Sequence, residues 1–135
     1  MPKKIDGKTA LDWLKMGNKY GELGNKQKAI ECYEKAVKIK TQFSEVWGVM
    51  GIIYRELGNH MKAVECFEKA VKIDHKLGIA WFGMGLSYGK LGNQQKEVEC
   101  FEKAVQIKPQ YSETWCNIEA WCNIGVFNLY NNRSN

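Results

Sequence analysis

A chain of 135 residues that is 44% hydrophobic and 26% charged has enough apolar content to bury one core, which excludes an intrinsically disordered protein. No apolar run approaches the roughly 20 residues needed to cross a bilayer, so no membrane insertion is expected. The net charge of +5 sits in residues 1–43, where ten lysines face five acidic residues; the rest of the chain balances. That bias is sparser than the Lys/Arg stripe of a nucleic-acid domain, so nucleic acid is not an expected partner.

Residues 1–9 read as an N-terminal extension. Lys3 and Lys4 are followed by no apolar stretch of the kind that makes a secretory signal, and a cytoplasmic location is expected. The first helical pattern follows. Trp13, Met16, Gly17, Tyr20 and Leu23 lie at the i, i+3, i+4, i+7 spacing that puts one stripe on a helix, here called helix A of the unit. Gly24 suits the left-handed position that ends a helix, and Asn25 is a good N-cap for the next. Ala29, Ile30, Tyr33, Ala36 and Val37, with Cys32 at the margin, then form the stripe of helix B, which runs to about residue 40 antiparallel to A. Gly17 and Ala29 let the two helices approach, while Trp13, Tyr20 and Tyr33 fill the wider gaps.

The pattern then recurs at an interval of 34 residues. Trp13, Trp47, Trp81 and Trp115 share one phase; Gly17, Gly51 and Gly85 share another, as do Tyr20, Tyr54 and Tyr88. Leu-Gly-Asn returns at 23–25, 57–59 and 91–93, and Glu31-Cys32-Tyr33-Glu34-Lys35-Ala36-Val37 returns nearly unchanged from Glu65 and from Glu99. Units are therefore assigned to residues 10–43, 44–77 and 78–111, with residues 112–135 a partial fourth unit ending in a polar tail. A lone hairpin cannot bury both stripes, so helix B of each unit packs on helix A of the next. The fold class expected is all-α, a solenoid of antiparallel helix pairs. Trp47→Ala, in the middle unit, is expected to cost about 3–5 kcal/mol as a large core aromatic.

The last segment breaks the rhythm. Thr114-Trp115-Cys116-Asn117-Ile118-Glu119 is nearly duplicated six residues later as Ala120-Trp121-Cys122-Asn123-Ile124-Gly125. Keeping Trp115 in phase predicts one helix over about 113–130. Trp121, Phe127, Leu129 and Tyr130 leave it more apolar than the outer face of a terminal repeat should be, which makes them candidates for self-association into a homo-oligomer.

The succession Trp13, Met16, Gly17, Tyr20, Leu23-Gly24, Ala29, Tyr33, Ala36, repeated twice more and with Pro109 near the end of one unit, resembles the tetratricopeptide repeat over residues 10–111. The resemblance implies a right-handed superhelix whose A helices line a concave groove used to bind an extended peptide or a helix of a partner. Some members of the family hold the C-terminal carboxylate of a chaperone with Lys and Asn in the first repeat, Asn in the second, and Lys and Arg in the third. The corresponding positions here are Leu14, Asn18, Val49, Ile79 and Gly83, of which only Asn18 matches. Apolar side chains supply no charge-assisted bonds, so that ligand is not expected. With the family's geometry the groove is lined by Leu14, Asn18, Val49, Ile52, Arg55, Phe82 and Leu86, an apolar wall with one cation. It suits an apolar segment or amphipathic helix of a protein partner, with Arg55 meeting an acidic group on it.

Residues that invite a chemical reading fit a structural one. Cys32, Cys66 and Cys100 stand one repeat apart, beyond disulfide reach, and read as packing residues. Cys116 and Cys122 lack zinc-knuckle spacing. His60 and His75 fall at opposite ends of one helix, cannot share a metal, and are expected to face solvent. No phosphate loop, nucleophile elbow or metal-binding histidine pair occurs, so neither catalysis nor a cofactor is expected. Glu97 departs from Ala29 and Ala63 at its repeat position. Either its stem lies along the helix interface with the carboxylate in water, the favoured expectation, or the group is buried with a raised pKa and serves as a sensor or partner contact. The function expected is a non-catalytic scaffold that binds a peptide or helix of a partner in the A-helix groove; the alternative is a structural unit that assembles end to end through its terminal repeats.

Overall fold

The structure, a computed structural model, describes residues 3–111. The expected helix over 113–130 and the self-association candidates Trp121, Phe127, Leu129 and Tyr130 lie outside the described residues. Those described form six helices: α1 (Ala10–Glu22), α2 (Lys26–Ile39), α3 (Ser44–Glu56), α4 (His60–Ile73), α5 (Gly78–Lys90) and α6 (Gln94–Ile107). Among them there is no strand, only an isolated antiparallel bridge between Ile5 and Lys8. The fold is the all-α repeat fold expected, with α1 paired to α2, α3 to α4 and α5 to α6, and with α2 on α3 and α4 on α5 joining one pair to the next.

Local chemistry places the helix ends. Gly24, Gly58 and Gly92 adopt φ of +82°, +83° and +83°, the left-handed region a side chain would oppose. The following Asn25, Asn59 and Asn93 cap helix B, each side chain accepting the backbone N–H three residues on. Helix α1 starts with a capping box that the apolar periodicity did not reveal: Thr9 accepts from the Asp12 amide, and Asp12 accepts from the Thr9 amide. Those bonds hold the Asp12 carboxyl below the usual range. Helices α3 and α5 begin instead at apolar Phe43 and Leu77, without a side-chain cap.

Aromatic rings at the middle of each B helix fill the space left by glycines. A Cβ built on Gly17 would lie 2.5 Å from the Tyr33 ring, on Gly51 2.6 Å from Phe67, and on Gly85 2.6 Å from Phe101. Phe67 also reaches the next pair, where a Cβ on Gly83 would meet its Cζ at 2.5 Å. Tyr33, Phe67 and Phe101 are at most 2% exposed, and Ala29, Ala36, Ala63, Ala70 and Ala104 are fully buried. Two of the three described tryptophans differ from full core residues. Trp13 is buried, but Trp47 and Trp81 are half-buried. Their indole N–H groups donate to loop carbonyls at Thr41 and His75, with Trp13 donating to Ile5, while Lys35, Lys69 and Lys103 lie 4.4 Å over the three rings. The cost expected of Trp47→Ala therefore falls below that of a fully enclosed ring.

Pairs are also linked by side-chain hydrogen bonds. Tyr54 donates to Glu34 of the preceding helix B, and Tyr88 to Glu68. Burial and these carboxylates push both phenols up to about 12, so they remain donors at any physiological pH.

Candidate functional site

The A helices place side chains every third or fourth residue along one inner surface, and the middle of that surface is an open trough of about 290 Å³. Leu14 and Asn18 of α1, Glu45, Gly48, Val49 and Ile52 of α3, Leu77 of the preceding loop and Ile79 of α5 line it. Its volume admits a few side chains of a partner, not a folded domain. Ile79 is 47% exposed and Glu45 fully at the surface, so the trough is accessible along its rim. Asn18 has a fixed orientation: its Oδ1 accepts from the Tyr33 hydroxyl at 2.6 Å, which leaves the amide N–H groups as donors facing away from that bond.

Of the groove residues read from the sequence, Leu14, Asn18, Val49 and Ile52 are brought together in this trough, and Arg55, Phe82 and Leu86 are outside its lining. Phe82 is half-buried, stacked on Tyr111 with ring centroids 5.0 Å apart and tilted against Phe101 at 5.3 Å. Leu86 is half-buried. Arg55, expected to stand free, is also half-buried, and its Nε is enclosed without a hydrogen-bond partner among the described residues. Glu45, Gly48, Leu77 and Ile79 line the trough without being among those groove residues. Glu45 shares its repeat position with the exposed Leu11 and Ile79, which was the available signal; Leu77 comes from a loop and has no helical periodicity to betray it.

The remaining candidates are structural in their geometry. Cys32, Cys66 and Cys100 are free and buried, and burial raises the Cys66 thiol to about 11 and the Cys100 thiol to about 12, which leaves them protonated and poorly nucleophilic. Among the described residues no group of histidines, cysteines and carboxylates is arranged to hold a metal ion. His75 is exposed as expected, whereas His60, the first residue of α4, is half-buried with Nδ1 enclosed and unpaired among the described residues.

Glu97 is the larger correction. It is 5% exposed, and its carboxylate lies over the backbone of Gly89, where a Cβ would overlap it. The absence of a side chain at 89 makes the space, so the expected projection into water is not what occurs. Burial raises its pKa. A carboxyl whose folded pKa exceeds its unfolded value destabilises the folded state above that pKa, and the penalty fades as pH falls through the carboxylate range. Glu97→Gln is therefore expected to raise stability by about 1 kcal/mol at neutral pH. Thermal melts across the acid range should show the advantage shrinking; a constant difference would contradict the burial argument.

Three comparisons bear on this geometry. Family models described as tetratricopeptide repeat match residues 10–43, 44–77 and 79–111. No curated protein sequence matches the chain. Among solved structures, a crystal structure of MamA is similar at a TM-score of 0.81 and 25% identity, covering 91% of this chain and 72% of that one. The first tetratricopeptide domain of Spaghetti (RPAP3), bound to the HSP90 peptide SRMEEVD, superposes at a TM-score of 0.76 and 21% identity, with 93% of this chain and 95% of that one covered. The Arabidopsis OM64 tetratricopeptide domain gives 0.73 and 22%, over 75% of this chain and 84% of that one.

Proposed function

Because this chain belongs to the tetratricopeptide repeat family, we propose that it is a non-catalytic scaffold that binds a peptide or helix of a partner protein in the trough of its A helices. The observation that carries the reading is the open, mainly apolar lining formed by Leu14, Val49, Ile52, Leu77 and Ile79 beside one oriented amide and one carboxylate. Such a surface contributes affinity through apolar burial and register through the few polar groups. The RPAP3 domain in its complex supports the use of this fold for short peptides. The peptide class proposed differs, because Leu14, Ile79 and Gly83 stand where the clamp has its cations and Val49 where it has an asparagine, so the charge-assisted bonds to an acidic C-terminus are missing. A cytoplasmic location is part of the proposal.

End-to-end assembly is the less favoured reading. On the face of α1 that corresponds to the internal contacts between pairs, Lys19 occupies the repeat position held by buried Ile53 and Ser87. Covering that face with another copy would strip water from a charge.

The test uses short peptides selected on the full chain from a displayed random library, then synthesised and titrated by fluorescence anisotropy. Val49→Glu is expected to weaken them at least about tenfold, a difference of about 1.4 kcal/mol. Gln27→Glu, which adds the same charge on the exposed side of α2, should leave them unchanged. Equal binding by all three proteins would reject the trough as the site.

A further inference from the structure

We propose that Gly48 is a notch that receives one bulky apolar side chain of the partner, and that the adjoining Glu45 selects a segment carrying a basic residue next to that anchor. This rests on the trough reading above and makes it specific.

Glycine in a helix lowers its stability, and every other buried helix glycine among the described residues has a neighbour that a Cβ would crowd. For Gly17, Gly51, Gly83 and Gly85 that neighbour is an aromatic ring, lying 2.5–2.6 Å from where a Cβ would stand. Gly48, buried in the middle of α3, has no such neighbour. The closest atom to a Cβ there is Leu77 Cδ2 at 3.5 Å, an ordinary van der Waals separation that alanine would satisfy. The fold therefore does not require glycine at 48, yet α3 carries one on the floor of the trough.

The two other hairpins have Leu14 and Phe82 at the same repeat position. Gly48 contributes no side chain to the trough between Leu14 on one side and Leu77 and Ile79 on the other, and Val49 and Ile52 line the same space. Apolar walls of this kind are complementary to a leucine-, methionine- or phenylalanine-sized group, because a polar one would lose its hydration without a partner. The polar groups at the rim restrict the choice further. Among the described residues Glu45 is the only carboxylate in the lining, and it is exposed, so it complements a lysine or arginine; the Asn18 amide, held by Tyr33, is placed to donate to a backbone carbonyl of the bound segment. The occupant is thus a protein segment that pairs a bulky apolar residue with a basic one.

The experiment takes the selected peptides that respond to Val49→Glu and measures them against Gly48→Ala and Gly48→Leu in the full chain, with each apolar residue of the peptide changed in turn to alanine. The expected result is one apolar residue whose truncation weakens binding to the wild type at least about tenfold and has little effect on binding to Gly48→Leu, which is itself weakened to a similar degree. Gly48→Ala should fall between. Changing the neighbouring basic residue to glutamine should likewise lose its effect in Glu45→Gln. Alanine and leucine both favour helix over glycine, so circular dichroism and melting should show folded variants; should Gly48→Leu fail to fold, Gly48→Ala carries the measurement. Peptides that respond to Val49→Glu but bind both Gly48 variants like the wild type would overturn the notch and leave the trough standing. A library that yields no peptide sensitive to Val49→Glu would overturn the trough and the notch with it.

Discussion

Phe67→Ala is expected to destabilise the protein by about 3–5 kcal/mol, the range for removing a fully buried phenylalanine. Phe67 is 0% exposed and contacts glycines of two successive helix pairs, Gly51 of its own and Gly83 of the next. Its removal leaves a hole at the junction, and rigid helix backbones on both sides cannot collapse into it. Against a total of about 5–15 kcal/mol for an ordinary domain, the loss is a large fraction. Urea denaturation should show a fall in midpoint well beyond that of Trp47→Ala, whose half-buried ring leaves less apolar area to forfeit. A smaller effect for Phe67 than for Trp47 would mean the junction is not packed around this ring.

Gly83→Leu is expected to cost about 1–3 kcal/mol, although leucine is the better helix former by close to 1 kcal/mol. The reason is steric. A Cβ at 83 meets Phe67 Cζ at 2.5 Å, and the ring has little room to retreat because Gly51 also lies against its Cε1 and Cζ atoms. If this overlap is the cause, the cost of Gly83→Leu should shrink in a Phe67→Leu background, giving a clear coupling in a double-mutant cycle. Purely additive penalties would place the cause elsewhere. Gly48→Ala, in α3, should show no such penalty because only Leu77 Cδ2 is near, at 3.5 Å.

The contrast between these glycines shows how much of the molecule could be read from its residues. Gly24, Gly58 and Gly92 are followed each time by asparagine, so turn chemistry alone placed the helix ends, and the structure has them in the left-handed conformation with the asparagine caps formed. The aromatic positions at 33, 67 and 101 follow helical spacing and are all enclosed. Gly83 and Gly85 are two residues apart and identical in composition, yet one faces Phe67 across a junction and the other Phe101 within its own hairpin. Periodicity gives the face of a helix but not which neighbour fills it. Thr9 escaped for a different reason, since a capping box is local polar chemistry and leaves no mark on an apolar stripe.

The trough was only partly legible for related reasons. Leu14, Asn18, Val49 and Ile52 share inner-face positions and come together. Phe82 shares them too, but Tyr111, past the end of α6, stacks on it, and a stacking partner beyond a helix end has no fixed spacing to reveal it. Arg55 is half-buried with its Nε enclosed, and Glu97 is buried because residue 89 lacks a side chain. Such enclosure depends on the residues opposite, which belong to tertiary structure.

Contacts among the described helices run within each hairpin and between consecutive hairpins. The three described pairs of helices thus share two junctions, so excising an outer one of them would take half of those junctions while removing only a third of the described helices. Resistance to unfolding in such a molecule climbs faster than its length over the first few copies, and trimming from either side is felt out of proportion to the residues removed.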